Sequence, residues 1–286
     1  MTIRPRRSVL YMPGSNPRAL EKARSLPADA LILDLEDAVA PDAKDLARSQ
    51  VCEAVKAKGF GKREVAIRIN GLSTAWGRAD LDAAVEAAPD AILVPKVSAA
   101  GNLDAIDSRI EGRPIALWAM METPLAILKA AEIAGAGGKL ACLVMGTNDL
   151  IKEFHGVHTP DRRNLSAALG ICVAAARADG LAIIDGVYND INNADGFLES
   201  CKQARAFGFD GKTVIHPSQL EPCNGAFAPS PDDVAAARKI IAAFDLPENK
   251  GKGAIALDGR MVELLHAEIA RDTVALADAI AALSPA

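Results

Sequence analysis

Aromatic residues are scarce: two Trp, two Tyr and seven Phe make up 4% of 286 residues. A core in a chain half of whose residues are hydrophobic must therefore be packed from Ala, Val, Ile and Leu. The five cysteines, Cys52, Cys142, Cys172, Cys201 and Cys223, show no CxxC and no Cys/His cluster of zinc spacing. This excludes a structural zinc site or a disulfide framework, and they read as buried free thiols in a reducing compartment. No apolar run approaches the ~20 residues of a spanning helix. The start "MTIRPRRSVLYMPGS" lacks the apolar stretch of a signal peptide, so a soluble, cytoplasmic protein without membrane partners is expected. A net charge of −5 and a pI near 5.5 leave no electrostatic footprint for nucleic acid, and no run of like charge suggests a tail. An anionic substrate would need local basic residues.

What the chain does have is alternation. Short Val/Ile/Leu-rich runs alternate with longer Ala-rich segments of helical period, the pattern of repeated βα units. Strands are predicted at Ser8–Met12, Ala30–Leu35, Val65–Ile69, Ala91–Pro95, Ile115–Met121, Ala141–Met145, Ala182–Val187 and Thr213–Ile215. Their near-continuous apolarity suits strands covered on both faces. Eight units favour a closed (β/α)8 barrel over a doubly wound sheet, and no GxGxxG follows the first strand. The expected organisation is an α/β TIM barrel over residues 1–226. A helical extension over 227–286 packs on the barrel or on a neighbouring subunit.

Chemistry in such a barrel gathers at the C-terminal ends of the strands. Those ends carry Asp34, Glu36, Asp37, Arg68, Lys96, Glu122, Asp149 and Asp185. Glu122 closes the apolar run "IALWAMMETP", just before a Thr123–Pro124 pair suited to N-cap and N1. Glu122 could serve that helix start or an ordinary ion pair. Carboxylates converging from several strands, with no His or Cys among them, instead suit a hard cation held through oxygen, and Glu122 and Asp149 are the candidate Mg²⁺ ligands. Arg68 is a natural fork for a substrate carboxylate or an enolate oxygen, or else an ion-pair partner of Asp34 or Glu36. Lys96 could form a Schiff base, as in metal-free aldolases, but the carboxylate pair already accounts for the site. "AFGFDGKT" over 206–213 fails as a phosphate loop, because Ala206 replaces its first Gly and GKT leads into a strand. His155 and His158 lie in a polar loop and read as solvated, while His216 ends strand eight and could support the site from behind.

Taken together, "RSVLYMPGSNPRALEKA", "LDLEDAVAPDAK", "IRIN", "VPK", "WAMMET" and "VMGTNDL" carry a resemblance over essentially the full length. The chain resembles the citrate lyase β-subunit-like family of CoA ester lyases, within the wider HpcH/HpaI aldolase group. Through "WGRADL", "DGVYND" and "DGKTVIHPSQ" it is most similar to the malyl-CoA lyase and (3S)-malyl-CoA thioesterase branch.

The resemblance implies a TIM barrel with a C-terminal extension, Mg²⁺ (with Mn²⁺ as a substitute), and a CoA thioester with a small 2-oxo or hydroxy acid as substrate or product. By motif, the metal ligands fall on Glu122 and Asp149 and the substrate Arg on Arg68. Gly146, Thr147 and Asn148 fall at the substrate. Glu36 and Asp37 match acids that contact the metal's waters, and Arg18 and Lys22 are candidate partners of CoA phosphates. The family's lyases carry a catalytic Asp in a G-x-x-[IV]-D segment that reaches a neighbouring subunit's site, in a homotrimer or homohexamer. Here "DGRMVELLH" has Glu263 at that position, one methylene longer. The expected activity is therefore retro-Claisen cleavage of malyl-CoA or a relative to acetyl-CoA and a 2-oxo acid. Hydrolysis of (3S)-malyl-CoA to malate and CoA is the alternative, and a non-catalytic partner protein on an enzyme fold is the third possibility.

Overall fold

A computed structural model describes residues 3–283. Within the unit Arg6–Phe227 the chain runs β1 (Ser8–Pro13), α1 (Pro17–Ala23), β2 (Ala30–Asp34), α2 (Lys44–Ala57), β3 (Glu64–Arg68), α3 (Gly77–Ala87), β4 (Ala91–Val94) and α4 (Gly101–Arg109). It continues with β5 (Ala116–Met121), α5 (Pro124–Leu128), α6 (Ala130–Ala134), β6 (Leu140–Met145), α7 (Thr147–Glu153), α8 (Ser166–Ala178), β7 (Ala182–Asp185), α9 (Ala194–Phe207), β8 (Gly211–Val214) and α10 (Leu220–Phe227). The eight strands are parallel and closed, with β8 returning to β1 through Ser8–Lys212, Val9–Thr213 and Leu10–Val214. Each strand begins within two residues of its predicted start.

Two apolar layers follow from the period-2 alternation of a strand. Val9, Ile32, Ala66, Leu93, Trp118, Met120, Cys142, Val144 and Ile184 fill the barrel interior. The intervening residues, such as Leu31, Leu33, Ile67, Ile92 and Leu143, meet the helices in the larger outer cluster. The low aromatic content is legible here, because a single Trp shares the buried interior with small and aliphatic side chains, Met120 and Cys142. All five cysteines are free and buried, as expected.

The second, smaller unit comprises, among the described residues, 3–5 and 228–283. It contains α11 (Pro231–Asp245), an antiparallel hairpin of β9 (Ala254–Leu257) and β10 (Arg260–Glu263), and α12 (Leu264–Leu283). Ser230 caps α11 by accepting from Asp233 N–H, while the Asp233 carboxylate accepts from Ser230 N–H. Phe244, Ile255 and Ala267 form this unit's own core. Among the described residues, no helix is long and apolar enough to cross a membrane.

Candidate active site

The alternation that fills the barrel also delivers its charged residues. After Trp118 and Met120 the next inward position of β5 is Glu122; after Ala66 on β3 it is Arg68; after Ile32 on β2 it is Asp34. Three ionisable side chains thus stand one layer above an apolar plug, at the strand ends.

Glu122 is wholly buried. It takes no part in starting α5, because Thr123 caps that helix by accepting from Ala126 N–H at 3.0 Å, with Pro124 at its first turn. Glu122 Oε1 accepts instead from the backbone N–H of Lys96 at 2.7 Å, and Oε2 has no hydrogen-bond partner. Gly146 makes room for it: a Cβ there would collide with Glu122 Cβ and lie 2.5 Å from Oε2. Asp149 sits in the first turn of α7, where the helix N-terminus favours a carboxylate. The ammonium of Lys96 joins the two acids, 2.8 Å from Asp149 Oδ1 and 3.5 Å from Glu122 Oε1. Burial raises the Glu122 carboxyl above its usual range, and the Lys96 charge opposes that. Burial alone would lower the Lys96 ammonium, but Glu122 and Asp149 outweigh it and hold it raised.

Arg68 is buried and multiply held. Its Nε and Nη2 donate to Asp34 Oδ1 and Oδ2 at 2.7 and 2.6 Å, and its plane lies over Tyr11, 4.9 Å from the ring centroid. The remaining nitrogen, Nη1, is 2.8 Å from Glu36 Oε2 and 3.6 Å from Asp37 Oδ2. The ion-pair reading of Arg68 is thus what the geometry displays, with all three guanidinium nitrogens near carboxylates. Burial pushes the Glu36 carboxyl up to about 8, with Arg68 opposing and Glu122 and Asp37 adding to the rise. Near neutral pH this group can therefore hold or release a proton.

Several supporting residues lie inside the quoted motifs but had no role assigned from them. Lys44 is buried, donating to Leu35 O, Glu36 O and Asn70 Oδ1 at 2.7–2.8 Å, and so shapes the turn that carries Glu36 and Asp37. Asn70 is held in turn by Asp80. Tyr11 is the inward residue after Val9 on β1, a position that strand periodicity alone would have found.

The other expected site residues are less gathered. Thr147 is buried against Gly186, and Asn148 exchanges amide hydrogen bonds with Asn189 at 2.8 and 3.1 Å, tying α7 to the loop after β7. Arg18 and Lys22 are exposed on α1. Asp185 leaves the acid group altogether: it is fully buried between Arg162 and Lys212, which donate to it at 2.8 and 2.6 Å. His216 is exposed and caps the turn Pro217–Gln219. Glu263 ends β10 in the smaller unit and is exposed, its N–H donating to His266 Nδ1 at 3.1 Å.

Among the described residues no three His, Cys, Asp or Glu side chains gather as a metal cluster, so the donor set is one carboxylate pair. A pair, one oxygen of which is buried and unpartnered, fits Mg²⁺, which binds through one or two carboxylates and keeps waters or substrate oxygens in its other positions.

The chain is similar to known proteins over nearly its whole length. The model of the family HpcH/HpaI aldolase/citrate lyase matches residues 7–217. A (3S)-malyl-CoA thioesterase of Cereibacter sphaeroides is 52% identical over 97% of this chain and 96% of its own. The citrate lyase subunit beta of Leuconostoc mesenteroides subsp. cremoris is 35% identical over 90% and 88%. Among solved structures, the protein CitE from Mycobacterium tuberculosis, in complex with magnesium, acetoacetate and coenzyme A, superposes with a TM-score of 0.75 at 29% identity, covering 96% of this chain and 99% of its own. With the family model spanning the barrel and relatives of this identity spanning nearly the whole chain, the protein belongs to the HpcH/HpaI aldolase/citrate lyase family.

Proposed function

We propose that this chain is a Mg²⁺-dependent enzyme of malyl-CoA-type thioesters whose net reaction is hydrolysis to the hydroxy acid and CoA. The observation that carries the metal site is Glu122: a fully buried carboxylate with one oxygen tied to a backbone N–H and the other unpartnered, joined to Asp149 through the Lys96 ammonium. Leaving a buried charge so exposed to its own desolvation makes sense where a cation is to be received. The 52% identity to a (3S)-malyl-CoA thioesterase supports hydrolysis. Carbon–carbon cleavage is the second reading, supported by 35% identity to a citrate lyase β subunit.

In this scheme Glu122 and Asp149 hold the cation, which when bound supplies Lewis-acid polarisation of the acid unit's oxygens. Arg68, fixed by Asp34 and Tyr11, presents Nη1 to the oxygen that gains negative charge. Glu36, beside that nitrogen, holds or accepts a proton. Gly146, Thr147 and Asn148 would border the substrate at the start of α7, and Glu36 and Asp37, held beside Arg68, would lie toward a bound cation. Arg18 and Lys22, both exposed, pair with phosphates of CoA. We assign Glu263 to the barrel of a neighbouring copy in a homotrimer or homohexamer, where its carboxylate takes the proton from the attacking water and returns it to the CoA sulfur as the C–S bond breaks. Its exposure at a hairpin end and its match to the family's acid position support that role.

The test is product identification from malyl-CoA with enzyme and Mg²⁺. Malate with free CoA is expected. Glyoxylate with acetyl-CoA would establish the second reading, and turnover undiminished by a chelator would remove the metal from the scheme.

A further inference from the structure

Three lysines place their ammonium groups at the barrel's strand ends, and they differ in how firmly they are held. Lys44 is buried and donates to three oxygens. Lys212 is 0% exposed and donates to Asp185 Oδ2 and Gly186 O. Both are fixed structural cations. Lys96 is different: its side chain is 42% exposed, with one close carboxylate oxygen at 2.8 Å and a second at 3.5 Å.

The backbone of Lys96 is also unusual. Its φ is +52°, in the left-handed region that a residue with a Cβ seldom adopts. That turn directs its N–H onto Glu122 Oε1. The backbone therefore fixes the Glu122 carboxylate, while the flexible side chain reaches over the same acid and Asp149. Backbone and side chain perform separable tasks.

We propose that Lys96 is an internal counter-cation, whose ammonium holds Glu122 and Asp149 together in the metal-free enzyme and is released into solvent when a divalent cation takes its place. This rests on the reading of Glu122 and Asp149 as the metal pair. A divalent ion and an ammonium against the same two carboxylates compete, because charges of like sign a few ångströms apart repel where water is partly excluded. The four-carbon stem and half-exposed position give the ammonium somewhere to go, as a snorkelling lysine does. The Lys96 backbone stays, so Glu122 keeps its orientation through the exchange. The displaced charge then stands free at the end of β4 as an anionic thioester approaches. Lys96 is thus a positioning residue for the metal pair rather than an amine nucleophile.

The experiment is a Mn²⁺ titration of the full-length enzyme, with free Mn²⁺ read by electron paramagnetic resonance. Wild type is compared with Lys96→Gly, which keeps the N–H and suits the positive φ, and with Lys96→Met, which keeps a long stem. Removing the competitor should tighten Mn²⁺ binding about tenfold or more. In parallel, amine acetylation of wild type, quantified at Lys96 by mass spectrometry, should rise severalfold when Mn²⁺ is added. A structural lysine would show neither effect. Unchanged or weaker Mn²⁺ binding in Lys96→Gly overturns the exchange, as does unchanged labelling of wild-type Lys96. If wild type binds no Mn²⁺, or Glu122→Gln binds it as wild type does, the metal pair itself fails and the exchange with it.

Discussion

Adding one methyl group at Gly146 tests whether the metal pair depends on backbone shape. At φ −99° and ψ 72° the backbone itself does not demand glycine. The demand comes from Glu122, whose Cβ and Oε2 would lie 2.4 and 2.5 Å from the new Cβ, with Met120 Cε at 3.1 Å. An ordinary contact is about 3.5 Å, so the Glu122 side chain and the backbone that carries it must retreat by roughly 1 Å. Overpacking of this kind costs about 1–3 kcal/mol. In a chain of this size that corresponds to a fall in Tm of roughly 2–12 °C. A carboxylate displaced by about 1 Å should also lower kcat/KM by roughly a hundredfold. Gly146→Ala is measured by thermal unfolding and by Mn²⁺ affinity, and Glu122→Gly is combined with it to remove the colliding atoms. The two changes should couple by about 0.5–3 kcal/mol, with the double variant regaining stability relative to the sum of the singles. Wild-type Tm and Mn²⁺ affinity in Gly146→Ala, or strict additivity in the double variant, would refute the steric argument.

Further outcomes follow from the same geometry. Glu122→Ala and Asp149→Ala should each abolish Mn²⁺ binding while the far-ultraviolet spectrum stays that of wild type; normal binding in either would reject that residue as a ligand. Arg68→Lys keeps the charge but loses the fork that Asp34 grips, so turnover should drop by about a hundredfold although the change looks conservative. Near-normal kinetics would leave Arg68 with no more than structural pairing. Burial alone would raise Asp185, but Lys212 and Arg162 outweigh it and hold the carboxyl below its usual range. A depressed folded-state value stabilises above the unfolded value of about 3.9 and is lost as pH falls through the folded one. Asp185→Asn should therefore cost about 3–5 kcal/mol at neutral pH and flatten the acid limb of Tm against pH, and an unchanged acid limb would contradict the pairing. Co-expressed Glu122→Ala and Glu263→Gln chains, each inactive alone, should recover part of the activity if Glu263 serves a neighbouring copy; no recovery in mixed oligomers would remove that assignment.

The barrel was readable in the sequence because its strands are short, apolar and separated by helical periodicity, so each strand begins within two residues of expectation. The charged strand ends were readable for the same reason. Glu122 and Asp149 were visible as acids after the fifth and sixth apolar runs, and the structure brings both to one ammonium. Asp185 shows the limit of that logic. It also ends an apolar run, yet it is consumed by Lys212 and Arg162. Arg162 comes from the loop before α8, and no spacing rule connects it with β7. Lys212, within the rejected phosphate-loop pattern, points from β8 into the same buried cluster.

What stayed illegible lies mostly in the backbone and in long-range pairing. A lysine at positive φ looks like any other lysine in "VPK", so the N–H that orients Glu122 could not be inferred. Gly146 in "MGTNDL" reads as a turn residue, whereas its role is the space it leaves for a side chain on another strand. Lys44 sits in an unremarkable helix start and still sets the path of the Glu36–Asp37 turn through two carbonyls. These residues share a property: each supplies a backbone path, a gap or a fixed partner, while the acids supply the chemistry. Residue types at strand ends therefore announce a carboxylate pair, but how that pair is oriented and neutralised is decided by positions whose side-chain chemistry gives no warning. Substitutions at Lys96 and Gly146 should accordingly alter metal affinity in opposite directions, the first by removing a competitor and the second by displacing a ligand.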